Sequence, residues 1–134
     1  MLIEDSPHDF YAVQRGLRSV ELAEGLIHCE TGEEAVAHLW HSDSIEDQKR
    51  LVRPHLILLD LNLPGMGGAE FLDKIKNDVD LKHIPVIVLT TSDDPKDIKQ
   101  SYALGANSYL RKPLNRQAAQ RLKEYWFDSA VLPE

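Results

Sequence analysis

The clearest structural signal in this 134-residue chain is the segment Leu56-Ile57-Leu58-Leu59-Asp60-Leu61-Asn62-Leu63-Pro64-Gly65. Four apolar residues in succession are typical of a strand that is covered on both faces in a parallel sheet. The Pro64-Gly65 pair then turns the chain out of the sheet. Asp60 therefore stands at the carboxyl end of a buried strand, where open parallel sheets bind ligands and carry out chemistry. An acid at this place is a candidate for reaction.

Size and composition favour one globular domain. The chain is 43% hydrophobic and 28% charged, which suits a single domain over residues 1–134 with a short tail at about 128–134. The net charge of −7 argues against a nucleic-acid surface, and the lone Cys29 cannot form an internal disulfide. No apolar run approaches the roughly 20 residues of a membrane span, and no signal-peptide pattern opens the chain. We therefore expect a cytoplasmic protein with neither nucleic acid nor membrane as partner.

Strand patterns alternate with helix patterns along the whole chain. Strands are predicted at 1–4, 26–29, 55–60, 86–89 and 107–110. Helices are predicted from Ser6-Pro7 to about residue 21, from Thr31 to Trp40, from Gly68 to Asn77, from Asp94-Pro95 to Gly105, and from Asn115 to Phe127. The polar stretch 41–53 is interpreted as a helix end and a surface loop. This alternation predicts an α/β, flavodoxin-like, doubly wound parallel sheet of five strands in the order 2-1-3-4-5, with five helices.

The predicted strand order brings three acids together at the ends of strands one and three. Glu4, Asp5 and Asp60 would repel one another there, and a hard divalent cation such as Mg²⁺ relieves that repulsion. Asp5 and Asp60 supply carboxylates, the backbone carbonyl of Asn62 supplies another oxygen, and Glu4 acts directly or through water. As single residues these acids also fit solvated loop positions or helix caps. Their combination favours a magnesium site.

Two further strand ends carry groups that suit a phosphoryl ligand. Thr90 ends the fourth strand with a hydroxyl, and Lys112 follows the fifth strand with an ammonium group. A carboxylate at Asp60, a cation, a hydroxyl donor and a lysine form a set able to accept a phosphoryl group, because each part stabilises charge on the transferred group. Taken singly, Thr90 fits a strand end and Lys112 a solvated surface.

Four blocks of the sequence resemble the signature blocks of response-regulator receiver domains, and they cover essentially the whole chain in the usual order. They are Glu4-Asp5-Ser6, Leu58 to Gly65, Val88 to Ser92, and Lys112-Pro113. The segments 101–109 and 125–133 are similar to small single-domain regulators related to cyanobacterial phytochrome response regulators.

This resemblance implies a phosphoacceptor in a two-component phosphorelay. The chain would not be an enzyme beyond Mg²⁺-dependent self-phosphorylation and autodephosphorylation, and its partner would be a sensor histidine kinase of phytochrome-like type. The residues implied are Asp60 as phosphoacceptor; Glu4, Asp5, Asp60 and the Asn62 carbonyl for Mg²⁺; Thr90 and Lys112 for the phosphoryl group; and Tyr109 as a switch.

The expected output is a change in protein contacts, since no output domain follows the fifth helix pattern. A homodimer is expected through the face of helix 4, strand 5 and helix 5, or through the C-terminal tail. One alternative is a receiver domain excised from a larger regulator or hybrid kinase. Another is an aspartyl-phosphate phosphatase, although such an enzyme carries a second acid where this chain has Asn62.

Overall fold

The computed structural model of the protein describes residues 1–40 and 53–128, and these residues form one parallel α/β sheet structure. The strands are β1 Leu2–Ile3, β2 His28–Cys29, β3 Ile57–Leu59, β4 Val86–Thr90 and β5 Ser108–Arg111. The helices are α1 Pro7–Arg18, α2 Gly32–Leu39, α3 Gly68–Lys76, α4 Pro95–Ala103 and α5 Arg116–Trp126. The five strands pair in parallel in the order β2-β1-β3-β4-β5, which confirms the predicted fold class. Most of the predicted loop at 41–53 and of the tail at 128–134 lies outside the described residues.

The strands near the candidate site are shorter than their apolar patterns predicted. The predictions of 1–4, 26–29 and 55–60 were wrong at the strand ends, because hydropathy marks burial and not the limits of strand pairing. β1 pairs with both β2 and β3 over two residues only. Beyond these pairs, the backbone N–H of Glu4 donates to Cys29 O at 2.9 Å, and that of Asp60 donates to Ile3 O at 3.1 Å. The two acids are therefore held by their neighbours' backbones at the point where their own strands end.

Helix α1 also ends earlier than its periodicity predicted. Glu21 has a positive φ of 64°. The next N–H, that of Leu22, donates back to Leu17 O at 2.8 Å. This pairing across a left-handed residue is a Schellman-type helix end, so residues 19–21 form the closing turn of the helix.

Apolar side chains fill both faces of the sheet. On one face Ile3, Leu59 and Val88 pack with residues of α2 and α3, including Leu39, Phe71, Leu72 and Ile75. On the other face Leu2, Leu58 and Ile87 pack with residues of α1 and α5, including Val13, Leu17 and Leu122. Because the central strands are covered on both sides, their carboxyl ends are fixed in position. No helix in the described parts of the chain is long and apolar enough to cross a membrane.

Gly68 lies against the backbone that carries Asp60. A Cβ at Gly68 would meet Asp60 O at 2.5 Å and Leu61 Cα at 2.6 Å, whereas a Cβ at Gly67 would meet nothing within 4 Å. The N–H of Gly68 also donates to Leu61 O at 3.2 Å. The start of α3 therefore approaches the β3 end closely only because residue 68 has no side chain.

We expect Gly68→Ala to lower the free energy of unfolding by about 1–3 kcal/mol, because the new methyl group overlaps backbone atoms that have little room to move. Gly67→Ala is the matched control, and its effect should stay within about 0.5 kcal/mol because the site is open. Urea denaturation of both variants measures the difference. Equal stabilities for the two variants would show that the close approach at residue 68 is unimportant.

Candidate functional site

The ends of β1 and β3 bring together the three acids that the sequence predicted. Glu4 is 1% exposed and Asp60 is 5% exposed, while Asp5 faces solvent. One carboxylate oxygen from each of the three residues lies within 4.8 Å of the others. A compact set of carboxylate oxygens suits a hard divalent cation. The predicted convergence of these residues is therefore present in the structure.

Lys112 adds a cation to this cluster from the end of β5. Its Nζ lies 2.5 Å from Glu4 Oε1, 3.0 Å from Asp9 Oδ2 and 3.6 Å from Asp60 Oδ2. Its backbone N–H donates to Thr90 O at 2.7 Å, which ties the residue to the end of β4. The side chain of Lys112 is only 9% exposed, so the ammonium group is directed into the protein and not into solvent.

Burial sets the proton affinities of this cluster. Burial raises the pKa of Glu4 to about 7; the hydrogen bond from Lys112 opposes this shift and the neighbouring Asp60 adds to it. Burial alone lowers the pKa of Lys112, but the bonds to Glu4 and Asp9 and the charge of Asp60 outweigh it, so the Lys112 pKa lies above its ordinary value. The ammonium group thus stays charged, and Glu4 exchanges a proton close to neutral pH.

Asp60 is oriented by contacts on both carboxylate oxygens. The backbone N–H of Asn62 donates to Oδ1 at 3.2 Å, and the Lys112 ammonium lies beside Oδ2. Asn62 itself is exposed, two residues after the acid in the loop that leaves β3. The carboxylate is therefore held in one orientation at the rim of the sheet.

Thr90 and Tyr109 meet the loop that follows β4 from two sides. Thr90 is buried, at 1% exposure, and its Oγ1 accepts from the N–H of Ser92 at 3.4 Å. The hydroxyl of Tyr109 donates to the backbone oxygen of Ser92 at 2.7 Å. The hydroxyl of Ser92 in turn donates to Asp97 on α4 at 2.6 Å. Ser92 therefore joins Thr90, predicted to contact the phosphoryl group, and Tyr109, the predicted switch, to the first turn of α4.

The sequence interpretation missed Asp9 as a partner of Lys112. Its spacing gave no signal, because Asp9 is the third residue of α1 whereas Asp5 lies before the Ser6 cap and outside the helix. An acid in the first turn of a helix has an ordinary explanation in the helix dipole, so spacing alone did not single it out.

The chain matches a known protein family over most of its length. A family model described as the response regulator receiver domain matches residues 1–124. The chain belongs to the response-regulator receiver family. Receiver domains are signalling domains of two-component systems and not a family of catalytic enzymes, so the phosphatase alternative loses its support.

Individual receiver proteins resemble the chain over nearly its full length. The response regulator Rcp1 of Synechocystis sp. is 40% identical over 99% of this chain and 91% of its own length. A structure of the Mn²⁺-bound form of Rcp1 superposes with a TM-score of 0.80 at 40% identity, covering 99% of this chain and 96% of the other. The phosphorylated cyanobacterial phytochrome response regulator RcpA superposes with a TM-score of 0.81 at 38% identity and the same coverage. These matches confirm the predicted resemblance to single-domain phytochrome response regulators.

The raised pKa of Glu4 predicts a pH-dependent stability in the absence of divalent cations. The folded receiver domain keeps a proton on Glu4 up to a pH of about 7, whereas the unfolded chain releases it near 4.5, so the free energy of unfolding falls as the pH rises between these values. We expect the wild type to lose about 1–3 kcal/mol relative to Glu4→Gln between pH 5 and pH 8. Denaturation curves in a chelating buffer measure this difference, and parallel pH profiles for the two proteins would contradict it.

Proposed function

We propose that Asp60 accepts a phosphoryl group from the phosphohistidine of a sensor histidine kinase and that the chain then signals through altered protein contacts. The observation that carries this proposal is the Lys112 ammonium 3.6 Å from the Asp60 carboxylate, inside a cluster of acids at the sheet edge. A buried positive charge beside the nucleophile is what a phosphoryl acceptor requires, since the transferred group brings negative charge to this point.

The transfer places different demands on each residue. An oxygen of the Asp60 carboxylate attacks phosphorus, the phosphorus–nitrogen bond of the phosphohistidine breaks, and its electron pair returns to the imidazole. The Lys112 ammonium and the Thr90 hydroxyl stabilise charge on the oxygens of the transferred group. The same arrangement supports self-phosphorylation by small phosphodonors and autodephosphorylation by water, which reaches the acyl phosphate past the exposed side chain of Asn62.

Magnesium is the divalent cation proposed for this donor set. Glu4, Asp5 and Asp60 offer carboxylate oxygens within 4.8 Å of one another, and the backbone carbonyl of Asn62 completes the proposed ligands. The Mn²⁺-bound form of Rcp1 supports a divalent cation at a site of this family. When bound, the cation supplies positive charge that offsets the crowding of the acids and the incoming phosphoryl group.

Thr90 and Tyr109 are the proposed route from Asp60 to the surface. A cavity of about 190 Å³ adjoins Thr90 and is lined by Asn62, Ser92, Asp97 and Ser101 among others. Movement of the Thr90 hydroxyl toward a phosphoryl oxygen would break its contact with the Ser92 N–H and release the loop that also holds the Tyr109 hydroxyl. Phosphorylation then biases a two-state element at α4 and β5.

The partners follow from the family and its named relatives. A sensor histidine kinase of phytochrome-like type is the proposed phosphodonor, because the cyanobacterial phytochrome response regulator RcpA is among the similar structures. The proposed location of the chain is the cytoplasm. We propose the chain as one receiver unit over residues 1–134.

A homodimer through the face of α4, β5 and α5 is a second part of the proposal. β5 is the last strand of the sheet order, so one of its backbone edges has no strand partner among the described residues. Tyr125, 62% exposed, stands beside Trp126 on α5 with its ring centroid 4.7 Å away. A cavity of about 560 Å³ between β5 and α5 continues this apolar surface past Leu110. The other predicted interface, the tail, lies outside the described residues except for Asp128.

We expect incubation with acetyl phosphate and Mg²⁺ to add the mass of one phosphoryl group to the wild type and nothing to Asp60→Asn, because the amide lacks the nucleophilic carboxylate. Intact-mass spectrometry measures the addition. Asp93→Asn, which removes an exposed acid at the same edge of the sheet, is the matched control and should label like the wild type.

Two results would contradict this function. One is an unchanged mass of the wild type under conditions that label other receivers. The other is steady turnover of an aryl phosphate ester, which would restore the phosphatase alternative.

We expect phosphorylation to shift the chain from monomer toward dimer, as measured by sedimentation velocity. Tyr125→Lys should lower the dimerisation constant of the phosphorylated chain at least tenfold, because a charge replaces an aromatic contact at the interface. Tyr11→Lys alters an equally exposed tyrosine on α1, at 60% exposure, and should leave the shift unchanged. A monomer in both phosphorylation states would remove the dimer from the proposal.

A further inference from the structure

The ammonium group of Lys112 has three N–H donors and three carboxylates around it. Two of the contacts are hydrogen bonds, to Glu4 at 2.5 Å and to Asp9 at 3.0 Å, and the third is the ion pair with Asp60 at 3.6 Å. Glu4 and Asp60 also belong to the carboxylate cluster that suits a cation. Asp9 is not part of that cluster, so its contact with Lys112 needs a separate explanation.

The start of α1 leaves the Asp9 carboxylate available for Lys112. Ser6 caps the helix by accepting from the N–H of Asp9 at 3.3 Å. In an ordinary capping box, the acid at this third helical position would reach back to the N–H of the cap residue. Here the N–H of Ser6 donates instead to Glu4 Oε2 at 3.3 Å. Glu4 thus accepts the hydrogen bond from the cap residue that the third helical residue accepts in a capping box. The Asp9 side chain extends instead toward the end of β5.

A divalent cation would change the attraction of Glu4 for Lys112 more than that of Asp9. A cation at the carboxylate cluster competes with Lys112 for Glu4 and repels the ammonium group at the same time. The Asp9 carboxylate keeps its full attraction for Lys112, because it lies outside the cluster. Without Asp9, the ammonium group would lose its strongest partner when the cation arrives and be pushed away from Asp60.

We propose that Asp9 is a positioning residue that keeps the Lys112 ammonium directed at Asp60 while a divalent cation occupies the carboxylate cluster. This inference rests on the proposed function, since it assigns a role within the same site. Lys112 is 9% exposed and Asp9 is 34% exposed. A nearby ion pair between Arg111 and Asp93, at 3.4 Å, is 61% and 72% exposed and is an ordinary surface contact weakened by solvent.

The first test follows the Lys112 ammonium directly by ¹⁵N-resolved NMR, with its signal assigned through its loss in Lys112→Met. Without divalent cations, wild type and Asp9→Ala should both show the signal, because Glu4 and Asp60 remain beside the ammonium group in each. With saturating Mg²⁺ alone, the wild-type signal should persist, whereas that of Asp9→Ala should broaden beyond detection. Asp9→Glu should restore it, and Asp93→Asn should behave as wild type. Asp9→Asn, which preserves the shape of the side chain, replaces Asp9→Ala if the latter does not fold.

The second test measures the initial rate of labelling by acetyl phosphate at saturating Mg²⁺. We expect a rate about tenfold lower in Asp9→Ala and recovery of most of the wild-type rate in Asp9→Glu, since a displaced charge no longer meets the transferred group. A persistent ammonium signal in Asp9→Ala with Mg²⁺ would overturn the proposal, and so would a wild-type labelling rate in that variant. If even the wild type takes no label, the proposed function fails, while the NMR comparison still decides the role of Asp9 because it uses no phosphodonor.

Discussion

The ion pairs of the Lys112 ammonium group with the surrounding carboxylates stabilise this site. Three acids from two strand ends and a fourth from α1 converge within a few ångströms, and two of them are nearly inaccessible to water. Such a cluster is stable only with positive charge inside it, because desolvation and mutual repulsion both oppose ionisation. Lys112 supplies that charge permanently. Burial raises the pKa of Glu4 despite the hydrogen bond from Lys112, and the neighbouring Asp60 adds to that rise. The cluster is consequently prepared to accept a divalent cation.

The fold keeps this arrangement from relaxing. The strands that end at the site are covered on both faces, and their last backbone groups bond to neighbouring strands even where regular pairing has stopped. Gly68 brings the start of α3 directly against the Asp60 backbone, which removes another route of movement. The rigid sheet contrasts with the loop after β4, where Ser92 holds Thr90, Tyr109 and Asp97 through single hydrogen bonds. Under the proposed function, new charge at Asp60 would act on these single hydrogen bonds.

Most of the fold was predictable because its signals are local. Unbroken apolar runs marked β3 and β4, and Ser6-Pro7 marked the start of α1 by cap chemistry that the structure confirms. The strand ends were wrong because pairing limits depend on which residues lie opposite, as at β1 with its two paired residues. The end of α1 was wrong because Glu21 adopts a left-handed conformation that glutamate rarely shows.

Hydropathy, turn residues and recognisable blocks were enough to predict a parallel α/β sheet and the acids and lysine at its strand ends, whereas the strand order was predicted by analogy with flavodoxin-like folds. Which of these groups contact one another depends on the folded structure. The partners of Lys112 are 108, 103 and 52 positions away in the chain, and no periodic pattern records which carboxylate an ammonium group will meet. The contact between Asp9 and Lys112 is visible only in the folded structure. It forms because the end of β5 lies beside the first turn of α1.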